Sequence, residues 1–236
     1  GRIWRAVECA RSNTDIWGKR YSAMIISAPD SADLLQAASW SVTDSLPYDS
    51  TYLDGKFGAW LEGNAVVTPD GNVADLLRVD YAPGPEYAAL IRLRDSVSFD
   101  PFDPEKNFVR MPGGAKKFTV RYDSLSGRYW SLVNYVTQEW AGKQNPAWVR
   151  NTLALSSSPN LQEWTVHRTV LHHPDIAKHG FQYADWLFDG NDIVLLSRTA
   201  YDDNGTGAHN CHDANYMTFH RIKDFRKALT EQAGNR

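Results

Sequence analysis

The segment from Trp60 to Arg78 carries residues whose types and spacing are well suited to chemistry. Glu62 opens an apolar, aromatic stretch of strand length, a turn follows at residues 69–72, and Arg78 ends the next such stretch, sixteen residues after Glu62. Because an antiparallel hairpin returns its two ends to the same sheet edge, we expect the Glu62 carboxylate and the Arg78 guanidinium to lie close together. The pair is either a surface ion pair, which stabilises little, or part of a substrate site.

Histidines form a second unusual group in the last third of the chain, at positions 172, 173, 179, 209 and 212. Imidazole titrates near neutrality and ligates metals, so an acid/base role or a metal site is one interpretation. Loop histidines that bond to the backbone are the simpler interpretation, and we assign no metal ion. If His209 or His212 points into a cleft, it becomes a candidate substrate-binding residue. The run 202–205 has oxygen ligands for calcium, but a solvated loop explains it as well.

Composition narrows the functional classes. The chain has 236 residues, 42% hydrophobic and 22% charged, as is usual for a globular protein. A net charge of −3 argues against a nucleic-acid partner, and we find no apolar run long enough to span a membrane. Cys9 and Cys211 cannot build a disulfide scaffold or a cysteine-based zinc site. Nine Trp beside eleven Tyr suit either a sugar-binding cleft or packing between sheets.

Short apolar runs of strand length, separated by turn residues, recur about every ten positions. They lie at 1–7, 21–28, 58–68, 73–81, 117–122, 129–136, 151–157, 164–171, 181–188, 193–199 and 216–222. Only residues 31–38 and 223–228 have a pattern that favours a short helical turn. The chain is therefore predicted to be all-β, with consecutive strands joined by tight hairpins.

A repeated turn suggests how these strands are organised. Residues 158–164 place a polar turn before Leu161 and Trp164, and residues 31–34 with Trp40 form a looser copy. In each, a polar side chain can bind backbone N–H groups of the turn, and the Trp can fill the space beneath it. Hairpin-linked strands with such a repeat indicate a β-propeller, here with three to four blades.

These features resemble the sialidase-like β-propeller glycoside hydrolases, which carry BNR or Asp-box turns. That family has a Glu, a strand, an Asp-Gly turn, a strand and an Arg at about the spacing of Glu62 and Arg78. The run that begins Gln182-Tyr183-Ala184-Asp185 resembles its Tyr-Ser-Asp strand, and Arg150 precedes a turn of the Asp-box kind. The resemblance implies a six-bladed parent, with Tyr183 as nucleophile, Glu62 as its base, and Arg78 and Arg150 on the substrate carboxylate.

The implied chemistry is physically consistent. A neutral phenol avoids the repulsion that a carboxylate nucleophile meets from an acidic sugar, but with a pKa near 10 it needs a close base, here Glu62. Arginine binds a carboxylate bidentately. We therefore expect retaining hydrolysis of a terminal acidic sugar, with Trp60, His212 and His209 as further substrate-binding candidates and no cofactor.

Other readings of the same residues stay open. Glu62 could be the general acid of a five-bladed glycosidase. A propeller polysaccharide lyase could use Tyr and His, with an Arg that neutralises a uronic acid. A glycan-binding propeller without turnover would keep the aromatic cleft alone.

The expected organisation is one propeller domain over residues 1–229 and a frayed tail over 230–236. A sialidase also needs an acid/base Asp and a first Arg, and we find neither. We therefore expect a domain that is incomplete at its N-terminus, closed by a further segment or partner chain. The resemblance implies a secreted or periplasmic location.

Overall fold

The computed structural model describes residues 1–10 and 14–231. The chain divides into two compact units, Gly1–Ala82 with Tyr87–Val109, and Pro83–Glu86 with Arg110–Arg236. Over the described residues, fourteen strands form four antiparallel sheets of three or four strands each. The all-β prediction is confirmed, and the number of strands equals three and a half blades of four.

The first unit contains two meandering sheets, ordered β1-β2-β3 and β4-β5-β6-β7. Their strands are Arg2–Ala10 (β1), Tyr21–Pro29 (β2), Ser41–Val42 (β3), Ala59–Val67 (β4), Val73–Asp80 (β5), Tyr87–Arg92 (β6) and Phe108–Arg110 (β7). Two one-turn helices, Tyr52–Gly55 (α1) and Pro104–Asn107 (α2), lie in the connections.

The second unit contains sheets ordered β8-β9-β10-β11 and β12-β13-β14. Their strands are Val120–Asp123 (β8), Arg128–Asn134 (β9), Thr152–Ser158 (β10), Thr165–His172 (β11), Gly180–Asp189 (β12), Asp192–Ala200 (β13) and Tyr216–Ile222 (β14). A short helix, Ala228–Glu231 (α3), follows the last sheet. Among the described residues, no helix has the length and apolar character to cross a membrane.

The sequence located most hairpins but missed strands β3, β6 and β7. Strand β6 is buried along most of its six residues, so it lacks the alternation of a half-buried strand. Strands β3 and β7 have two and three residues, too few to show an alternating pattern. The predicted helical turn over 31–38 was wrong for most of its length. The Asp33 side chain instead accepts the Leu35 N–H in a non-helical turn, and a 3-10 turn begins only at Ala37.

The predicted polar turns have the expected hydrogen bonds. The Asn160 side chain accepts the N–H groups of Gln162 and Glu163, and the Trp164 indole N–H donates to the Leu161 carbonyl. In the looser copy, the Trp40 indole N–H donates to the carbonyl of Leu34. Each turn is therefore fixed by its own side chains.

The C-terminal segment is attached to the second unit. A 3-10 turn spans Phe225–Lys227 within the stretch predicted to turn helically, and α3 extends to Glu231. Thr230 and Glu231 of the predicted tail therefore lie in this helix, and the rest of the tail lies outside the described residues. Phe225 is fully buried in the core cluster that also contains Trp130 and Trp186.

A bidentate ion pair holds this segment in place. The Arg226 Nε and Nη2 atoms donate to the two Asp123 carboxylate oxygens at 2.8 and 2.6 Å. The Asp123 side chain is nearly buried and also accepts from Ser126. The hydrogen bond from Arg226 is the main cause that lowers the pKa of Asp123 to about 2.

Loss of this pair should destabilise the second unit in a pH-dependent way. We expect Asp123→Asn to lower the free energy of unfolding at neutral pH by about 2–3 kcal/mol, because a charge-assisted bidentate contact is lost. A lowered folded-state pKa stabilises the fold above pH about 4, and this contribution disappears as the pH falls toward 2. Urea unfolding across that range should show the two proteins converging.

The matched control is Asp189→Asn, which breaks the exposed contact of Asp189 with Arg221 and should change stability little. A constant difference between wild type and Asp123→Asn from neutral pH to pH 2 would contradict the prediction.

Candidate functional site

In the first unit, Glu62 and Arg78 form the pair that their spacing predicted. Arg78 Nη1 lies 3.1 Å from Glu62 Oε2 and 3.4 Å from Oε1. The Arg78 side chain is 10% exposed and the Glu62 side chain 34% exposed, so this is not a solvated surface pair. The register of β4 and β5 shifts between Trp60 and Gly63, so Glu62 lies in a β-bulge.

Asp80 lies two residues after Arg78, on the same face of β5. Burial raises the pKa of the Asp80 carboxyl group, and the Arg78 charge offsets part of this effect. The Asp80 carboxylate also lies so close to Gly58 that a Cβ atom on that glycine would overlap it. The pair therefore has a second carboxyl group nearby, whose pKa is raised by burial. Alternate residues of a strand lie on the same face, so the two-residue spacing of Arg78 and Asp80 could have predicted that this carboxyl group lies near the pair.

Trp60 does not have the predicted role in substrate binding. Its side chain is fully buried, its indole N–H donates to the Pro47 carbonyl at 2.9 Å, and its ring packs on Phe57 and Phe108. The apolar setting of this stretch reflects an aromatic core and not a sugar-binding face. An alternating strand exposes only one of its faces, and Trp60 lies on the buried one.

In the second unit, Tyr183 lies at a distorted point of β12. Its φ of 50° is in the left-handed region, and the β12–β13 register shifts between Gln182 and Asp185. A non-glycine residue with such a backbone costs free energy and occurs often at functional sites. Because of the bulge, the half-buried Tyr183 side chain does not follow the regular alternation of side chains between the two sheet faces.

Two guanidinium groups flank the Tyr183 ring. The Cζ atom of Arg198 lies 4.8 Å from the ring centroid and that of Arg150 lies 5.7 Å from it. Cation–π contacts of this kind attract positive charge to the ring face. Arg198 was not predicted, although it lies directly opposite Gln182 in the β12–β13 pairing.

The Tyr183 hydroxyl faces an imidazole. Tyr183 Oη lies 3.4 Å from His212 Nε2, and His212 Nδ1 lies 3.3 Å from a carboxylate oxygen of Asp213. The hydrogen bond with His212 is the main cause that lowers the pKa of Asp213, and Asn210 contributes as well. An ionised Asp213 that accepts from Nδ1 leaves Nε2 free to accept the tyrosine proton.

Arg150 has a different environment from the one predicted. It is buried, donates from Nη1 to Gln182 Oε1 at 2.8 Å, and donates from Nε to the Ala147 carbonyl. Gln182 in turn donates to the carbonyls of Cys211 and His212. Arg150 therefore supports the loop that carries His212. The predicted contact of Arg150 with a substrate carboxylate stays a prediction.

The rim of this cluster combines an aromatic face with polar loop residues. Trp148 is 54% exposed, and its ring centroid lies 6.3 Å from that of His212. His209 is exposed on the same loop. An exposed indole beside polar groups can pack against the apolar face of a sugar. The predicted substrate-binding roles of His212 and His209 both stay predictions.

A separate cavity of about 530 Å³ also lies within the second unit. Its lining includes Tyr135, Trp164 and Glu86. The Glu86 carboxylate pairs with the fully buried Lys116 ammonium and also accepts the Gly113 N–H. A buried charged pair is costly to desolvate, and here the hydrogen bond from Gly113 satisfies the second Glu86 oxygen.

No protein-family model and no curated protein matches the chain. Solved structures do resemble it. A GH32 β-fructofuranosidase from Bombyx mori has a TM-score of 0.56 at 13% identity over 85% of this chain and 39% of its own. A mutant levansucrase from B. megaterium has a TM-score of 0.57 at 11% identity over 92% of this chain and 62% of its own.

An exo-1,5-α-L-arabinanase from a bovine ruminal metagenomic library has a TM-score of 0.53 at 8% identity, over 94% of this chain and 70% of its own. These proteins are β-propellers, so the propeller fold class is confirmed. At such identities the likeness concerns the fold alone, and it does not single out the sialidases. The chain spans between 39% and 70% of the lengths of these three structures.

Asp75 in the first unit is a buried carboxyl group that the sequence did not single out. Burial is the main cause that raises its pKa to about 7, while the Asn64 backbone N–H opposes the shift and the charge of Glu8 adds to it. One oxygen, Oδ1, has no hydrogen-bond partner. A Cβ atom on Gly63 would overlap this carboxylate, so the glycine makes room for it.

Replacement of this group should stabilise the protein in a pH-dependent manner. The folded-state pKa is raised, so wild type loses stability as the pH rises from about 4 to about 7. We expect Asp75→Asn to be more stable than wild type above pH 7 by on the order of 3 kcal/mol, with the advantage shrinking toward pH 4. Urea midpoints at several pH values measure this difference, and an advantage that grows on acidification would contradict the prediction.

Proposed function

We propose that the chain forms part of a glycoside hydrolase that removes a terminal acidic sugar, with Tyr183 as the nucleophile. The observation that carries the proposal is the contact of Tyr183 with His212 and of His212 with Asp213, together with two guanidinium groups near the Tyr183 ring. The propeller neighbours, which include a β-fructofuranosidase and an arabinanase, support a glycosidase in general.

The Tyr183 phenol needs a base before it can attack an anomeric carbon. His212 Nε2 is within reach to accept the phenol proton, and Asp213 would stabilise the resulting imidazolium. The sialidase resemblance assigns the role of base to Glu62, whose carboxylate accepts from Arg78. Glu62 and His212 are therefore both candidate bases for the Tyr183 phenol. The pairing of Glu62 with Tyr183 is a prediction, and variants of Glu62 and His212 distinguish the two candidates.

The guanidinium group of Arg198 favours an anionic substrate. Arg198 is half-buried, its Nη2 atom donates to the His212 carbonyl at 3.3 Å, and its charge lies over the Tyr183 ring. A carboxylate on the sugar would complement this charge. The leaving oxygen needs a proton from an acid on the opposite face of the sugar, a role to which we assign no residue.

A second candidate function is elimination from a uronic acid. The same tyrosine and histidine could abstract the proton next to the carboxylate while Arg198 neutralises the acid. The Tyr183 hydroxyl at 3.4 Å from an imidazole favours this chemistry as much as nucleophilic attack. The products differ, because elimination breaks the C4–O bond, releases that oxygen as a hydroxyl group and leaves a C4–C5 double bond, whereas hydrolysis adds water and forms no double bond.

The test assays the chain on sialosides, glucuronides and oligogalacturonides, with neutral arabinosides and fructosides as comparison. We expect turnover of a carboxylated substrate, and a loss of kcat/KM of roughly 10³-fold in Tyr183→Phe, because the phenol oxygen takes part in bond formation. His212→Gln should lower kcat by a similar factor if His212 is the base, and Glu62→Gln should do so if Glu62 is.

Tyr122→Phe is the matched control, since Tyr122 is a half-buried tyrosine of β8 that packs on Tyr129. Unchanged turnover in Tyr183→Phe would exclude both mechanisms. Binding of acidic sugars without turnover, weakened by Arg198→Ala, would instead indicate a glycan-binding propeller. Turnover of neutral sugars alone that depends on Glu62 would favour a five-bladed glycosidase.

A further inference from the structure

A histidine–aspartate group lies in the second unit outside the Tyr183 cluster. His173, His179 and Asp202 each offer a ligand atom, and these atoms lie within 4.8 Å of one another. His173 and His179 flank the turn between β11 and β12, and Asp202 follows β13. The tertiary fold therefore brings together side chains from two separate loops.

His179 has the environment of a metal ligand. The residue is 5% exposed, and its Nδ1 atom lies 2.7 Å from Asp175 Oδ2. A carboxylate that accepts from Nδ1 fixes the ring and leaves the lone pair on Nε2. That Nε2 atom is buried and has no hydrogen-bond partner in the described structure. An unpartnered lone pair in a buried position is costly unless something binds it.

The distance from His179 Nε2 to Asp202 Oδ2 supports the same conclusion. It is 3.4 Å, longer than a good hydrogen bond to a carboxylate. Two ligands that each lie about 2.1 Å from a tetrahedral zinc ion are separated by about 3.4 Å. The two atoms are thus spaced as ligands across an ion.

We propose that His179 and Asp202 bind a divalent transition-metal ion, with Zn²⁺ as the best match, and that His173 completes the protein ligands. Neutral imidazole and carboxylate are ligands that zinc accepts. Three protein ligands leave a fourth position for water or for an oxygen of a bound molecule. The Asp202 side chain is 74% exposed, so the ion would be reachable from solvent.

His173 is the weaker ligand of the three. Its Nδ1 atom accepts the Asp175 N–H at 3.1 Å, which places its ring proton on Nε2. Its ring also stacks on that of His179, with centroids 3.5 Å apart. The lone pairs of two nearly parallel rings cannot meet on one ion, so ligation through His173 requires its ring to turn out of the stack. Ligation through Nε2 also requires the proton to move to Nδ1, at the expense of the backbone hydrogen bond. This arrangement predicts a graded effect of substitution, with His179 more important than His173.

Titration calorimetry of the metal-free chain with ZnCl₂ tests the proposal, and the visible spectrum with Co²⁺ reports the geometry. We expect one ion per chain in wild type, undetectable binding in His179→Gln, and a loss of at least tenfold in Asp202→Asn. His173→Gln should lose less than His179→Gln. Asp175→Asn should weaken binding by roughly 10–100-fold, because it removes the group that orients His179.

His209→Gln is the matched control, because it removes an exposed histidine of the same unit and should leave binding unchanged. The Asp202→Asn variant keeps the test valid if His179→Gln fails to fold, because the exposed Asp202 side chain can change without loss of core packing. Circular dichroism with chelator present verifies that each variant is folded. Absence of stoichiometric binding in wild type, or binding that Asp202→Asn and His179→Gln leave intact, would overturn the proposal.

Discussion

A β-bulge in the first strand of a sheet is the feature on which both candidate clusters depend. In β4 the bulge lies between Trp60 and Gly63 and contains Glu62, and in β12 it lies between Gln182 and Asp185 and contains Tyr183. An unbroken strand would send alternate side chains strictly to the two sheet faces. The extra residue breaks this alternation and re-aims one polar side chain.

The second strand of each sheet supplies the countercharge. Arg78 in β5 bonds the Glu62 carboxylate, and Arg198 in β13 lies over the Tyr183 ring. The two sheets thus share one arrangement, in which a bulged first strand carries a polar side chain and the adjacent strand carries an arginine. The groups differ in chemistry, since a carboxylate forms an ion pair with its arginine whereas a phenol offers its ring face.

Local sequence signals predicted the parts of the fold that local interactions determine. Asn160 and Trp164 predicted their turn because its hydrogen bonds close within a few residues. Glu62 and Arg78 could be paired because one hairpin connects them. Arg198 was missed although one hairpin connects it to Tyr183. His212 could not be paired with Tyr183 from the sequence, because the loop that carries it is positioned by Gln182 and Arg150 from elsewhere in the chain.

For Trp60, in contrast, the sequence suggested a substrate-binding role that its position in the structure does not support. A tryptophan two residues from a carboxylate suits a sugar cleft, but the sequence does not reveal which face of the strand will be covered. Tertiary packing decided this, since Phe57 and Phe108 enclose the ring. An exposed indole beside the polar cluster of the second unit is provided by Trp148. The number of tryptophans in the composition does not distinguish the buried Trp60 from the exposed Trp148.

Buried polar groups fix the loop that carries His212. Arg150 is buried and bonded to Gln182, and Gln182 donates to the carbonyls of Cys211 and His212. Such a network is costly when it is incomplete, so it restricts the loop to the conformation that satisfies it. His212 is then held beside Tyr183 before any ligand arrives.

Electrostatics connects this arrangement to the class of substrate. Two guanidinium groups beside a neutral phenol form a positively charged site in a chain whose net charge is −3. A carboxylate nucleophile in that place would be neutralised by the arginines and would compete with an anionic ligand for them. A phenol leaves the positive charge available until its proton is removed, and the phenolate then gains the same stabilisation. This charge balance is the physical basis for proposing an acidic sugar as substrate, whereas the propeller neighbours are named for fructosides and arabinosides.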